Sequence, residues 1–130
     1  MARSFILLDH RGLLRIDGAD RRSFLQGLTS NDVAKVSEGR AVYSAVLTPQ
    51  GKFLHDFCLT EMGEALWLDP EAARAEDLRK RLTLYKLRSK VSLAVVEDWR
   101  VVVLVGEGAA EALDLPAGDA GAARLWGSGV

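Results

Sequence analysis

Asp56 and Tyr43 are the side chains best placed to do chemistry, because each stands on one arm of a sharply marked hairpin. The first arm alternates Ala41, Tyr43, Ala45 and Leu47 against Val42, Ser44, Val46 and Thr48. The second alternates Phe53, His55, Phe57 and Leu59 against Leu54, Asp56, Cys58 and Thr60. Alternation of period two over this length predicts strands. Thr48-Pro49-Gln50-Gly51 between them suits a tight type I turn, with proline second and glycine fourth. Asp56 therefore projects from a face shared with Leu54 and Cys58, where a carboxylate either pairs with a cation or waits for a ligand.

The remaining chemically able residues offer less. His55 shares a face with Phe53 and Phe57 and reads as a hydrogen-bonded core histidine, whereas His10 lies in a turn facing solvent. Cys58 is expected to behave as a small buried apolar side chain. One cysteine excludes an internal disulfide, and with two histidines it leaves no zinc-binding set. Gly106-Glu107-Gly108 lacks the third glycine of a dinucleotide fingerprint. Asn31-Asp32 reads as a helix-ending turn that braces the next loop.

These residues must be positioned by a mixed set of elements. Phe5–Leu8 and Leu13–Ile16 flank Asp9-His10-Arg11-Gly12 and predict an opening hairpin. A short helix follows Gly18-Ala19-Asp20, with Phe24, Leu25 and Leu28 inward and Asp20 near its positive end. After the central hairpin, Met62-Gly63 turns the chain into a strand at Ala65–Leu68. Pro70 is then expected to open the longest helix, with Ala75, Leu78, Leu82 and Tyr85 as its core stripe. Strands follow at Val91–Val95 and Arg100–Val105, then a helical turn over Gly108–Leu113 and a loop over Pro116–Ala123. The order implies an α+β domain, an antiparallel sheet with helices packed on one side. Residues 1–105 form this domain, and 106–130 read as the truncated start of a following element, with Leu125-Trp126 seeking a neighbour.

The 130 residues, 48% apolar and 27% charged, suit one globular domain. A net charge of −1 supplies no global field for nucleic acid or acidic membranes. No apolar run reaches the roughly 18–20 residues of a membrane span, and the N-terminus is no secretory signal. The expected setting is the cytoplasm, the expected state a monomer.

Several segments together resemble the folate-binding YgfZ family, itself related to the aminomethyltransferase (T-protein) of the glycine cleavage system. They are Phe24-Leu25-Gln26-Gly27-Leu28-Thr29-Ser30-Asn31-Asp32-Val33, Tyr43, Thr48-Pro49-Gln50-Gly51-Lys52, Asp56-Phe57 and Leu84-Tyr85-Lys86-Leu87-Arg88-Ser89-Lys90-Val91. Their order and spacing cover most of residues 4–105. The resemblance implies the aminomethyltransferase folate-binding fold and a tetrahydrofolate-binding accessory protein in iron–sulfur cluster assembly or repair. It places Asp56 beside the folate nitrogens and Tyr43 in the pocket lining, with no catalytic residue, and iron–sulfur enzymes as partners. A carboxylate there can accept hydrogen bonds from a reduced pterin and favour a positively charged nitrogen.

Two departures qualify the resemblance. Where the transferases carry an asparagine-rich segment, this chain reads Leu68-Asp69-Pro70-Glu71, which favours the YgfZ branch. The YgfZ hallmark Lys-Gly-Cys-Tyr-x-Gly-Gln-Glu does not occur. The alternatives are a folate-dependent aminomethyl transferase, or an inactive structural fragment of either protein. The basic run Arg74, Arg79, Lys80, Arg81, Lys86, Arg88 and Lys90 reads first as a solvated face. Docking of a folate glutamate tail, an acidic partner or RNA comes second, and no interleaved aromatics support nucleic acid.

Overall fold

The computed structural model describes residues 4–115 and 120–124. Strand β1 is Ser4–Leu7 and β2 is Leu13–Asp17, followed by helix α1, Arg21–Gln26. Strands β3 (Val42–Leu47), β4 (Phe53–Met62) and β5 (Ala65–Leu68) lead to helix α2, Ala75–Thr83. Strands β6 (Ser92–Val96) and β7 (Val102–Val105) and the single helical turn α3, Ala109–Ala112, complete the described order. Five strands form one antiparallel sheet in the order β3-β4-β5-β2-β6, and β1 pairs with β7 in a separate ribbon. The expected α+β architecture is thus the observed one.

Alternation decides which face is dry. Phe57 and Leu59 on β4, Leu66 and Leu68 on β5, and Leu14 and Ile16 on β2 are fully buried, against Phe24 and Leu25 of α1 and Leu78 and Leu82 of α2. Both helices therefore cover one face, and the residues between these positions emerge on the other. Tyr43, Asp56, Cys58, Thr60 and Trp67 belong to that second face, since the register sets Tyr43 opposite Cys58 and Thr60 opposite Trp67.

The central hairpin closes as its sequence implies. Gly51 N–H bonds to Thr48 O at 2.9 Å, and Gly51 takes φ +84°, the left-handed value that lets the strands resume pairing after a type I turn. The register shifts at Val46/Leu47 to absorb the additional residue.

Three expectations are corrected. The opening hairpin does not form, because β1 pairs with β7 and β2 lies between β5 and β6. The residues between β1 and β2 are tied instead to the segment after β5, through Gly12 N–H to Pro70 O at 2.8 Å and Ala72 N–H to His10 O at 2.6 Å. Pro70 does not open the long helix; a 3-10 turn at Ala72–Arg74 intervenes, and α2 begins at Ala75. Tyr85 is 59% exposed and lies beyond the end of α2, so the helix core stripe is Ala75, Leu78 and Leu82. The helical turn after Gly108 is present as α3. The expected Leu125-Trp126 element and residues 116–119 of the expected loop lie outside the described residues.

Candidate functional site

The open sheet face gathers a polar cluster from four places in the chain. Tyr43 and Asp56 are diagonal neighbours on β3 and β4, and the Tyr43 hydroxyl donates to Asp56 Oδ2 at 2.6 Å. That bond holds the Tyr43 phenol above its ordinary pKa, because losing the proton would set two anions together. Asn31 supports the arrangement from below, its Nδ2 donating to Tyr43 O at 2.9 Å. The turn expected to brace a loop thus also braces the tyrosine.

Arg11 reaches the cluster from the segment between β1 and β2. Its Nε donates to Asp69 O at 2.9 Å and its Nη2 to Asp56 O at 3.0 Å. The same Nη2 lies 3.5 Å from Asp56 Oδ1, a looser contact than either carbonyl bond. Of the two readings of Asp56, pairing with a cation is the one observed, although the short bonds of the arginine go to the backbone. Among the described residues Oδ1 accepts no hydrogen bond, and Arg11 is the cation beside it.

Asp69 stands just beyond β5, where the ladder would next pair with Cys58. Pro70 cannot continue a strand, and the Asp69 side chain takes over the pairing, Oδ1 accepting from Cys58 N–H at 2.5 Å. Burial pushes the Asp69 carboxyl above the usual carboxylate value, opposed by the Cys58 bond and by Arg11. Cys58 is exposed rather than buried, a correction that follows from its place on the open face. Partial burial of its thiol, then the charge of Asp69, raise its pKa, so it is not a thiolate nucleophile at neutral pH.

A hollow of about 170 Å³ opens beside this cluster, walled by Cys58, Asp69, Trp67, Trp99, Thr60 and Arg100 among others. The Trp67 and Trp99 rings lie 5.4 Å apart at 44°, and the Arg15 guanidinium sits 5.8 Å from the centre of Trp67. Trp67 is 7% exposed although it leaves the helix-covered face, because these neighbours cover it. The hollow thus combines flat apolar walls with one lining carboxylate, Asp69, and Asp56 stands two residues along β4 from its Cys58 wall. Flat apolar walls with a carboxylate suit a planar heterocycle bearing N–H donors. Sequence reading singles out Asp56 and Tyr43, which the fold brings together, but not Arg11 or Trp99. It noted Asp69 only as a departure, and the one signal for a site role was the Asp-Pro pair at a strand end.

His55 is 2% exposed on the other face, with a ring nitrogen 2.7 Å from Asp77 Oδ2, as a hydrogen-bonded core histidine should be. On the basic run, Arg79 pairs with Glu76 and Arg81 with Asp77 along α2.

The fold and this open face define a protein of the aminomethyltransferase-like class. A crystal structure of the glycine cleavage system aminomethyltransferase T from Bartonella henselae superposes with a TM-score of 0.73 at 21% identity, over 88% of this chain and 32% of that one. Residues 4–122 match the GCVT N-terminal domain, and the chain belongs to that family. It is 30% identical over 103 residues to the mitochondrial iron–sulfur cluster assembly factor IBA57 homolog of Pyricularia oryzae, covering 76% of this chain and 26% of that protein. The corresponding factor of Mus musculus is 33% identical over 100 residues, covering 66% of this chain and 28% of the relative. An aminomethyltransferase of Synechococcus sp. is 36% identical over 59 residues, 45% of this chain and 16% of the relative. The chain thus spans about a quarter of the length of the assembly factors it matches. Their names also correct the cytoplasmic expectation, since these assembly factors are mitochondrial proteins.

Proposed function

We propose that the chain is the folate-binding part of an accessory protein in iron–sulfur cluster assembly or repair, of the YgfZ type. The relatives named as assembly factors support the process, and the hollow supports the ligand. A single observation carries the ligand reading. Asp56 is held on the open face by Tyr43 and by a 3.5 Å ion pair with Arg11, two residues along β4 from Cys58, which lines a hollow together with two indoles and Asp69. At about 170 Å³ the hollow is smaller than the roughly 300–1,000 Å³ of pockets for drug-sized ligands. It admits the pterin ring and leaves the remainder of a folate on the open face.

In this reading Asp56 accepts from pterin or bridge N–H groups, and Trp67 and Trp99 form the walls against the ring. Tyr43 and Arg11 fix the carboxylate. Tetrahydrofolate, when bound, supplies a nitrogen able to carry a one-carbon unit. Calorimetric titration of the full-length protein with tetrahydrofolate tests the reading. Asp56→Asn is expected to weaken binding by about 1–3 kcal/mol, the worth of a hydrogen bond to a charged group. Unchanged affinity removes Asp56 from the site.

A second reading, transfer of an aminomethyl group, is favoured by the likeness of the fold to aminomethyltransferase T. Methylene transfer to bound tetrahydrofolate on addition of an aminomethyl donor would select it. Binding without transfer selects the accessory role.

A further inference from the structure

An ordered tip beyond α2 has no part in the site described above. Leu84, Tyr85 and Leu87 are 77%, 59% and 89% exposed, three large apolar side chains within four residues. The tip is built from consecutive turns, with Tyr85 N–H on Leu82 O at 3.0 Å and Lys86 N–H on Thr83 O at 3.1 Å. Ser89 N–H closes the last turn on Lys86 O at 2.7 Å. Inside that last turn Leu87 has φ +45°, a left-handed conformation that is costly for a side chain with a Cβ. Burial gives nothing back for this cost, because the side chain is almost wholly in solvent. Glycine or asparagine would make the same turn with less strain, so the backbone is held at a cost that keeps a leucine outward.

Along the sequence the charge around the tip is of one sign, and the acid nearest to it, Asp77, which shares a shallow hollow with Leu84, is paired with Arg81. No aspartate or glutamate occurs from residue 78 to residue 96, while Lys80, Lys86, Arg88 and Lys90 surround the three apolar side chains in sequence. Arg79 and Arg81 are paired within α2. No ion pair is made by the other four among the described residues. An exposed apolar tip with cations on both sides of it in sequence and a tyrosine among its residues matches an anionic lipid surface. The apolar ends enter the acyl boundary, the tyrosine stays at headgroup depth, and the cations meet phosphates. A rigid protein partner would need a socket around side chains that stand this far out, whereas a bilayer deforms around them.

We propose that residues 84–90 are a peripheral contact for anionic lipid headgroups, reversible and salt-sensitive. No helix among the described residues is long and apolar enough to cross a membrane, so the contact is superficial. The assignment is independent of folate binding. It also departs from the expectation, drawn from a net charge of −1, that no membrane is involved; the charge that matters is local.

Co-sedimentation of the full-length protein with phosphatidylcholine vesicles, and with phosphatidylcholine–phosphatidylglycerol vesicles, tests it. The expected result is partition to the mixed vesicles only, lost at high salt. Leu87→Gly is expected to lower partition about tenfold through lost apolar burial, while keeping or raising the thermal midpoint because the strain is relieved. Lys86→Gln combined with Arg88→Gln is expected to lower partition by about tenfold or more. A wild type that ignores the mixed vesicles overturns the proposal. So does binding that both variants leave intact. Loss of cluster-assembly activity in the variants without any vesicle binding by the wild type overturns it as well, and assigns the tip to an acidic protein.

Discussion

Tyr43 and Asp56 share one proton's worth of hydrogen bond, and that coupling can be read without any ligand. The bond raises the phenol's pKa chiefly because Asp56 accepts it, with Asp56's charge adding and Arg11 opposing. Asp56→Asn is therefore expected to lower the Tyr43 titration toward the ordinary tyrosine value. Ultraviolet difference absorbance measures it. A titration unmoved by Asp56→Asn would mean that the two side chains are not bonded in solution. At this scale the sequence showed the pair because alternation along adjacent strands is a local property. It did not show Arg11, 45 residues from Asp56, or Trp99 over Trp67. Those contacts depend on how distant segments close, and nothing in the local text around residues 11 or 99 encodes them.

The elements show the same division between local and distant. Period two and the Thr48–Gly51 turn fixed the central hairpin, and β3 and β4 fall where the alternation placed them. The opening pair was misread because β1 and β2 are both apolar runs flanking a turn-like segment. Choice of partner is then settled by the sheet, not by nearness in sequence. The first helix and β6 are joined at a point the sequence marks only by a glycine. Gly18 has φ +117°, and a Cβ built on it would lie 2.0 Å from Lys90 O. Beside it the Asp20 carboxylate accepts from Lys90 N–H at 2.7 Å, and Asp20 N–H donates to Lys90 O at 3.2 Å. The acid expected near the positive end of the helix thus grips the segment that leads into β6. Gly18→Ala combines backbone strain with a backbone clash and is expected to cost about 3 kcal/mol or more. Leu78→Ala, in the buried stripe of α2, is expected to cost about 2–5 kcal/mol by leaving a cavity. Urea midpoints of the two variants measure both costs, and a Gly18→Ala midpoint equal to wild type would contradict the close approach.

For the molecule as a whole, the sheet separates two jobs. One face is sealed by helices and carries stability; the other stays open and carries the candidate site. His55 is the titratable group sealed on the stable side, and it makes the whole fold sensitive to acid. Burial holds its pKa below the ordinary value of 6.5, with Arg74 and Arg81 acting in the same direction and the bond to Asp77 opposing. The unfolded chain therefore takes up the proton first as pH falls. The stabilisation is complete above about pH 6.5 and is lost as pH drops from there toward the lower, folded value. Asp77 adds a second stage, since its bonds to Arg81 and then His55 hold its pKa below 3.8. That contribution is present above the unfolded carboxylate value and disappears as pH falls below it. Denaturant midpoints are expected to begin to decline as pH falls through 6.5, before the carboxylates titrate. His55→Gln removes the buried imidazole and should flatten this first decline while leaving the later one. A variant that keeps the wild-type slope would release His55 from any part in the acid response.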